Sequence, residues 1–271
     1  MLRQGQGEPL VLLHGVLCAE RVWNRVVPLV ATHHDVIVPT ALGHNGGPAA
    51  RVRPASIEHV IDDMERQLDE LGLDKVHLAG NSMGGWIAIE LARRGRAFTV
   101  CALSPAGAWD VDWDDTRRRS KVLSTTVRDT RRSRAMLPLL ARSKRLRHWI
   151  LRDIAVHGER VSPAELLALA DDTIGCEIVE DLLATDAQLA PLDPPPCPVT
   201  LAWSGQDRLF PVDVYGSHAR ELIPRASFIV LDDVGHVPML DDPQLVAQTI
   251  LAVTAANSHR DTAEVSPGHD S

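Results

Sequence analysis

Short apolar runs alternate along the chain with longer stretches in which apolar residues recur every three or four positions. The runs have the length and composition of buried strands and cover residues 10–13, 36–38, 75–79, 99–103, 199–203 and 228–231. The stretches with helical spacing lie at residues 18–30, 56–71, 83–94, 213–222 and 243–256. This alternation predicts an α/β fold, with a mostly parallel sheet covered by helices on both faces.

The alternation of strand and helix stops after Gly107. Residues 110–191 contain mainly helical and charged sequence without a strand pattern. Five prolines between positions 191 and 198 then predict a stiff return to the sheet. We therefore expect three parts: a core of residues 1–109 and 192–256, an inserted helical segment of residues 110–191, and a disordered polar tail of residues 257–271.

Two of the predicted helices begin at a recognisable capping residue. Ser56 precedes a helix whose apolar residues form one face. Ser162 precedes Pro163 and Glu165, which combines a capping serine, a proline in the first turn and a glutamate three residues after the cap. The inserted segment is therefore expected to contain a helix that starts at residue 163.

Charge is distributed unevenly along the 271 residues. The formal net charge of −8 argues against general binding of nucleic acid. Residues 117–152, however, contain thirteen lysines and arginines against one acid, Asp129, which leaves −20 on the rest of the chain. Such a run is typical of a solvated helical face, although a basic segment on an acidic body could also attract anionic substrates or a membrane surface.

Cysteine spacing and hydropathy indicate the cellular compartment in which the protein is located. The four cysteines, at positions 18, 101, 176 and 197, form no C-x-x-C pair, which predicts free thiols rather than a disulfide framework or a zinc site. The apolar run near residue 10 is interrupted by His14 and Gly15, unlike a signal peptide, and no run has the length of a membrane span. We expect a cytoplasmic protein without a stable membrane anchor.

The segment Leu78-Ala79-Gly80-Asn81-Ser82-Met83-Gly84-Gly85 joins a predicted strand to a predicted helix. It contains Gly-x-Ser-x-Gly, which in this context predicts a nucleophile elbow, a sharp turn that exposes a strained serine. Side chains at Gly80 and Gly84 would collide where strand and helix approach each other. Ser82 is therefore the candidate nucleophile.

Three residues that follow predicted strands can supply the groups that serine chemistry needs. Ser82, Asp207 and His236 provide a hydroxyl, a carboxylate and an imidazole, and ligands of an open parallel sheet bind where the carboxyl ends of its strands meet. A serine becomes nucleophilic when a base takes its proton, and the base needs a carboxylate that holds its tautomer. Asp110, after the strand at 99–103, is the alternative acid.

Other residues at this edge are candidates for binding the substrate. The backbone amides of Val16 and Met83 can form an oxyanion hole, a pair of N–H donors for the developing negative charge. His14 and Gly15 lie in the same loop as Val16 and are candidate substrate-binding residues, with His14 expected to shape the loop through hydrogen bonds rather than to act as a base. Candidate pocket walls, for which core packing is an equally good explanation, are Trp109, Trp113 and Trp149.

These motifs resemble those of the α/β-hydrolase family, over residues 10–256. The resemblance is carried by Leu12-Leu13-His14-Gly15 with Trp23, Gly43-His44, Gly80-Asn81-Ser82-Met83-Gly84-Gly85, Gly205-Gln206-Asp207 and Gly235-His236-Val237-Pro238. It implies a Ser-Asp-His triad and a helical cap, which the inserted segment fits. Members usually begin with two antiparallel strands, whereas nine residues precede position 10 here, so we expect these strands to be truncated and the sheet to have six or seven strands instead of eight.

The resemblance implies a serine hydrolase that acts on carboxylic esters with small or medium acyl groups, a small-molecule substrate. No cofactor or metal is required, and the oligomeric state is not predicted. The elbow is also similar to that of hydrolases that cleave carbon–carbon bonds in ring-fission products, although the loop at residues 14–18 lacks their longer glycine-rich sequence. A ligand-binding protein that keeps the triad but turns over slowly is the alternative outside enzymes.

Overall fold

The computed structural model describes residues 1–109 and 113–264, and its strands form a single sheet. The strands are β1 Leu2–Gln4, β2 Glu8–Leu13, β3 His34–Val38, β4 Val76–Asn81, β5 Ala97–Leu103, β6 Val199–Ser204 and β7 Ser227–Leu231. Their spatial order is β1-β3-β2-β4-β5-β6-β7, and all neighbouring pairs are parallel except β1 with β3. The turn after β4 therefore leaves the middle of the carboxyl edge.

The predicted α/β fold with a mostly parallel sheet is confirmed. Each of the six predicted apolar runs forms a strand, and the sheet has seven strands, the larger of the two expected numbers. The seventh is β1, which the apolar pattern missed because it is a three-residue edge strand with an exposed sequence. It is defined by backbone pairing with β3, Leu2 opposite Val38, rather than by burial.

The part of the chain that the structure describes contains eleven α-helices, besides two 3₁₀ helices at Glu20–Trp23 and Gly158–Arg160 and a π-helix at Val212–Gly216. In chain order the α-helices are α1 Val27–Val30, α2 Ile57–Glu70, α3 Met83–Arg93, α4 Trp113–Ser133, α5 Leu137–Leu140, α6 Lys144–Leu151, α7 Pro163–Gly175, α8 Val179–Leu183, α9 Ser217–Leu222, α10 Pro238–Asp241 and α11 Pro243–Glu264. Helices α4 to α8 all lie between β5 and β6, in the predicted insertion. Both predicted caps are present, since Ser56 accepts a hydrogen bond from the His59 amide and Ser162 from the Glu165 amide.

Two helix predictions need correction. The stretch at residues 18–30 is not one helix but a 3₁₀ turn, Glu20–Trp23, followed by α1, because Pro28 has no amide proton to continue a helix and instead occupies the first turn of a new one. The last helix does not end at residue 256 but continues to Glu264, through residues that include neither proline nor glycine. The helix thus extends over eight residues of the predicted tail, and residues 265–271 of that tail lie outside the described residues.

Apolar packing covers both faces of the sheet because successive strand residues point to opposite sides. In β2, Val11 and Leu13 pack into one core with α2 and α3, whereas Leu10 and Leu12 pack into a second core with α1 and α11. Every residue of β4 is buried. The central strand therefore holds the turn after it on a rigid support. Within the described ranges, no helix has the length and apolar character needed to cross a bilayer.

Candidate active site

Ser82 lies in the turn between β4 and α3 with backbone angles of φ 56° and ψ −117°. A side chain rarely adopts this conformation, and the close packing around the turn maintains it. A Cβ atom at Gly80 would lie 2.1 Å from the carbonyl oxygen of Gly84, and one at Gly84 would lie 2.2 Å from that of Leu13. Both glycines are thus required by backbone contact, in agreement with the predicted elbow.

His236 and Asp207 are joined by a buried hydrogen bond. The Nδ1 atom of His236 lies 2.7 Å from Oδ2 of Asp207, whose side chain is completely buried. The other carboxylate oxygen, Oδ1, accepts hydrogen bonds from the amides of Leu209 at 2.9 Å and Phe210 at 2.7 Å. Because Asp207 accepts from Nδ1, the Nε2 atom of the ring is left as a proton acceptor.

Three residues that the sequence analysis did not single out hold His236 in place. The side-chain amide of Asn81 donates to the backbone oxygen of His236 at 2.8 Å, and the Phe210 ring meets the imidazole edge to face at 4.7 Å. Asp241 accepts a hydrogen bond from the amide of Gly235 at 2.8 Å. The position of Asn81 beside Ser82 was the available signal, but its partner is 155 residues away in the chain.

The loop after β2 packs against the elbow. A Cβ atom at Gly15 would lie 3.2 Å from Cβ of Ser82, so the absence of a side chain there allows the loop to approach. The amide of Cys18 donates to the Gly15 oxygen at 3.2 Å and closes the loop into a turn that contains Val16. Met83 is the first residue of α3, so its amide has no acceptor within the helix. Two backbone donors thus come from the segments on either side of Ser82.

His14 supports this loop from behind, and its assignment as a substrate-binding residue stays a prediction. Its Nδ1 donates to the Gly15 oxygen at 2.9 Å and its Nε2 accepts from the amide of Ala41 at 3.0 Å, so both ring nitrogens are occupied. Burial lowers its pKa to about 4, and burial together with the nearby His14 lowers the pKa of His44 to about 3. The two rings, 5.0 Å apart, are therefore neutral at pH 7.

A cavity of about 520 Å³ opens between the carboxyl edge of the sheet and the inserted helices. Ser82 and His236 both line it, as do Gly15, Val16 and Met83. The rest of its wall is mostly apolar and comes largely from α4 to α8, including Leu123, Leu137, Ile150, Leu166, Leu169 and Leu183. The hydroxyl and the imidazole are thus presented to a space large enough for a small-molecule ligand.

Of the three candidate tryptophans, two have described side chains and both line the cavity. Trp109 is half-buried, donates to the Ala187 oxygen at 3.2 Å and packs edge to face on Trp86 at 5.6 Å. Trp149 is 62% exposed and lies at the rim. The side chain of Trp113 lies outside the described part of the structure, as does the whole of the alternative acid, Asp110.

The chain is similar to known hydrolases along most of its length. A model of the alpha/beta hydrolase family matches residues 10–249. Epoxide hydrolase EphH of Mycobacterium tuberculosis is 34% identical over 203 residues, which cover 70% of this chain and 90% of that protein. A thermophilic esterase from Thermogutta terrifontis has a TM-score of 0.70 at 22% identity, over 94% of this chain and 92% of its own. A 2-hydroxy-6-oxo-6-phenylhexa-2,4-dienoate hydrolase from Rhodococcus sp. strain RHA1 has a TM-score of 0.70 at 19% identity, over 92% of this chain and 91% of its own.

Proposed function

Because the chain belongs to the α/β-hydrolase family, we propose that it is a serine hydrolase that cleaves carboxylic esters of small or medium acyl substrates. The observation that carries this proposal is the geometry around one cavity. Ser82 is held in a strained turn at its floor, and the His236–Asp207 pair faces the same space with Nε2 of the histidine free to accept a proton. The inserted segment, residues 110–191, acts as the cap over this cavity.

The reaction begins when the Ser82 hydroxyl attacks the carbonyl carbon of the ester. His236 takes the hydroxyl proton on Nε2 and returns it to the departing alkoxide, so that an alcohol leaves and an acyl-enzyme ester remains on Ser82. Asp207 keeps the imidazole in the required tautomer and stabilises its positive charge. A water molecule then attacks the acyl group by the same route and releases the carboxylic acid.

Negative charge on the carbonyl oxygen is stabilised by backbone donors. The amides of Val16 and Met83 flank Ser82, and the Met83 amide also lies at the positive end of α3, a helix of eleven residues. Removal of one such donor from an oxyanion hole costs about 10²- to 10³-fold in rate in well-studied hydrolases. In this chain both donors are main-chain atoms, and the position of the Val16 amide depends on the loop that His14 supports.

The serine at position 82 argues against epoxide hydrolysis, the activity in the name of the Mycobacterium tuberculosis relative. A serine that attacks an epoxide carbon forms an ether, which offers water no carbonyl group and would leave the enzyme blocked. A serine that attacks an ester carbonyl forms a new ester, which water can cleave. Ser82 therefore favours an acyl substrate.

The cavity narrows the class of ester. Its wall is mainly aliphatic and aromatic, with Phe210 packed on His236 and Trp109 packed on Phe210, so the acyl group is expected to be apolar. A series of p-nitrophenyl esters from acetate to dodecanoate tests this. We expect kcat/KM to rise with acyl length up to a medium chain and then to fall when the cavity is full.

Labelling with a fluorophosphonate probe tests the proposed chemistry directly. We expect the native protein to be labelled, and Ser82→Ala and His236→Ala to lose labelling. Ser217→Ala and His218→Ala, on α9 outside the cavity, are matched controls and should be labelled like the native protein. Turnover that stops after one ester per site would indicate a ligand-binding protein, and loss of dienoate colour without ester turnover would indicate carbon–carbon bond cleavage.

A further inference from the structure

Exposed apolar side chains are concentrated on two short helices of the inserted segment. Among the described residues, nine large hydrophobic side chains are exposed, and four of them lie within residues 136–149. These four are Met136, Leu139, Leu146 and Trp149. Leu146 and Trp149 are three residues apart on α6 and therefore share one side of that helix. A cluster of this kind on an otherwise polar surface marks an interaction site.

The same stretch is strongly basic. Residues 131–152 contain seven arginines and one lysine and no acidic residue. Arg134 is paired with Asp171, Arg147 is buried and bonded to backbone oxygens, and Arg152 lies over the Trp149 ring at 4.5 Å. Arg142, Lys144 and Arg145 are exposed and form no ion pair with any carboxylate that the structure describes. Their positive charge is therefore free to meet an external anion.

The helices that carry these cations and apolar side chains also line the cavity. Leu137, Leu140 and Ile150, on the same helices, line the cavity wall, while Trp149 both lines the cavity and is mostly exposed. A helix that combines basic residues with leucine and tryptophan in this way is typical of segments that lie in a membrane interface. Tryptophan in particular prefers the boundary between headgroups and acyl chains.

We propose that the outer surface of α5 and α6 docks on an anionic lipid bilayer. Arg142, Lys144 and Arg145 contact the lipid headgroups, and Met136, Leu139, Leu146 and Trp149 enter the boundary beneath them. An acidic protein would also complement the basic residues, but it would not explain four exposed apolar side chains beside them as well as a bilayer does. Docking does not depend on the proposed hydrolysis; combined with it, docking would place the cavity entrance against the lipid from which an apolar ester could enter.

Co-sedimentation with vesicles tests the docking without any turnover. The full chain is mixed with vesicles of phosphatidylcholine alone or with added phosphatidylglycerol. We expect binding only to the anionic vesicles and weaker binding at higher salt. Arg142→Ser/Arg145→Ser should bind roughly tenfold more weakly or worse, since each cation near an anionic surface contributes on the order of 1 kcal/mol. Leu146→Ser/Trp149→Ser should lose binding even at low salt.

Matched controls separate this surface from general charge and hydrophobicity. The double variant Arg51→Ser/Lys75→Ser removes two positive charges from other parts of the surface. The double variant Val52→Ser/Val214→Ser removes two exposed apolar side chains from other parts of the surface. Both variants should bind anionic vesicles like the native chain. Brominated lipids should quench native fluorescence but have less effect on Trp149→Phe. The proposal is wrong if the native protein does not co-sediment with anionic vesicles or if all variants bind these vesicles equally well. It is also wrong if the surface binds an acidic acyl-carrier protein but no vesicle.

Discussion

At the scale of single residues, Asp207 has two tasks that can be separated by substitution. Its Oδ2 accepts from His236, and its Oδ1 accepts from the amides of Leu209 and Phe210. An asparagine can keep the Oδ1 contacts but presents an NH₂ group to Nδ1, which forces the imidazole into the other tautomer. An alanine removes both sets of contacts and leaves buried donors unpaired.

We therefore expect Asp207→Asn to lower kcat by about 10³- to 10⁴-fold while changing stability little. Asp207→Ala should be as inactive and also lose on the order of 2 kcal/mol or more of unfolding free energy. Ester kinetics and urea denaturation of both variants measure the two effects. An Asp207→Asn protein with near-native kcat would show that another carboxylate, such as Asp110, orients His236.

The residues at the centre of the site could be predicted because each lies in a short sequence motif that indicates its chemical role. Ser82 lies between glycines that the turn requires, and Asp207 and His236 each follow a strand at the same edge. Asn81 and Phe210 could not be predicted, because what they do depends on contacts with His236 across the fold. His14 was predicted to shape its loop through hydrogen bonds. Only the structure shows that both of its ring nitrogens are bonded to backbone groups.

At the scale of elements, the elbow tolerates no side chain at Gly84. We expect Gly84→Ala to fold poorly or to lose fluorophosphonate labelling, because its Cβ would collide with the Leu13 carbonyl of the neighbouring strand. Gly95→Ala is the control: Gly95 has a φ of +79°, but no atom lies near its Cβ, so only about 1–2 kcal/mol of backbone strain is added. Labelling of Gly84→Ala at the native level would contradict the backbone contact as the reason for glycine.

The inserted segment is tied to the loop that carries His236 by Asp241. Besides the Gly235 amide, this buried carboxylate accepts from the amides of Val156 at 3.0 Å and His157 at 2.6 Å, and the Val237 amide donates to Ile154 at 2.9 Å. The stretch of the inserted segment that directly follows α6 therefore shares hydrogen bonds with the loop that carries the proposed base.

Asp241→Ala should thus reduce both stability and turnover. The buried Gly235 amide and the partly buried amides of Val156 and His157 lose their acceptor, which we expect to cost about 3 kcal/mol. A displaced His236 should also lower kcat more than it raises KM. Asp242→Ala removes the hydrogen bond to the Leu245 amide at the start of α11 and should cost about 1 kcal/mol with kcat unchanged. Equal effects of the two variants on kcat would show that Asp241 does not position His236.

At the scale of the whole molecule, three buried titratable groups act on stability in opposite directions. His14 and His44 have pKa values of about 4 and 3, lowered chiefly by burial, whereas burial raises the pKa of Asp172 to about 6. The unfolded chain binds protons to both histidines near pH 6.5, so each contributes stability that is present above pH 6.5 and lost as the pH falls toward its folded value. Asp172 contributes stability that is present below pH 3.8 and lost as the pH rises through 6.

Between pH 6 and pH 4 the two histidines therefore outweigh the one carboxylate. We expect these three groups together to lower the free energy of unfolding, measured by urea titration, by about 1.4 kcal/mol per pH unit on acidification, the contribution of one net proton. Asp172→Asn removes the opposing group and should steepen this dependence. His44→Gln should flatten it, while His33→Gln, at an exposed position, should leave it as in the native chain. If the native stability rises as the pH falls from 6 to 4, the buried histidines behind the candidate site are protonated in the folded protein. His14 would then support the Val16 loop as a charged ring and not as a neutral one.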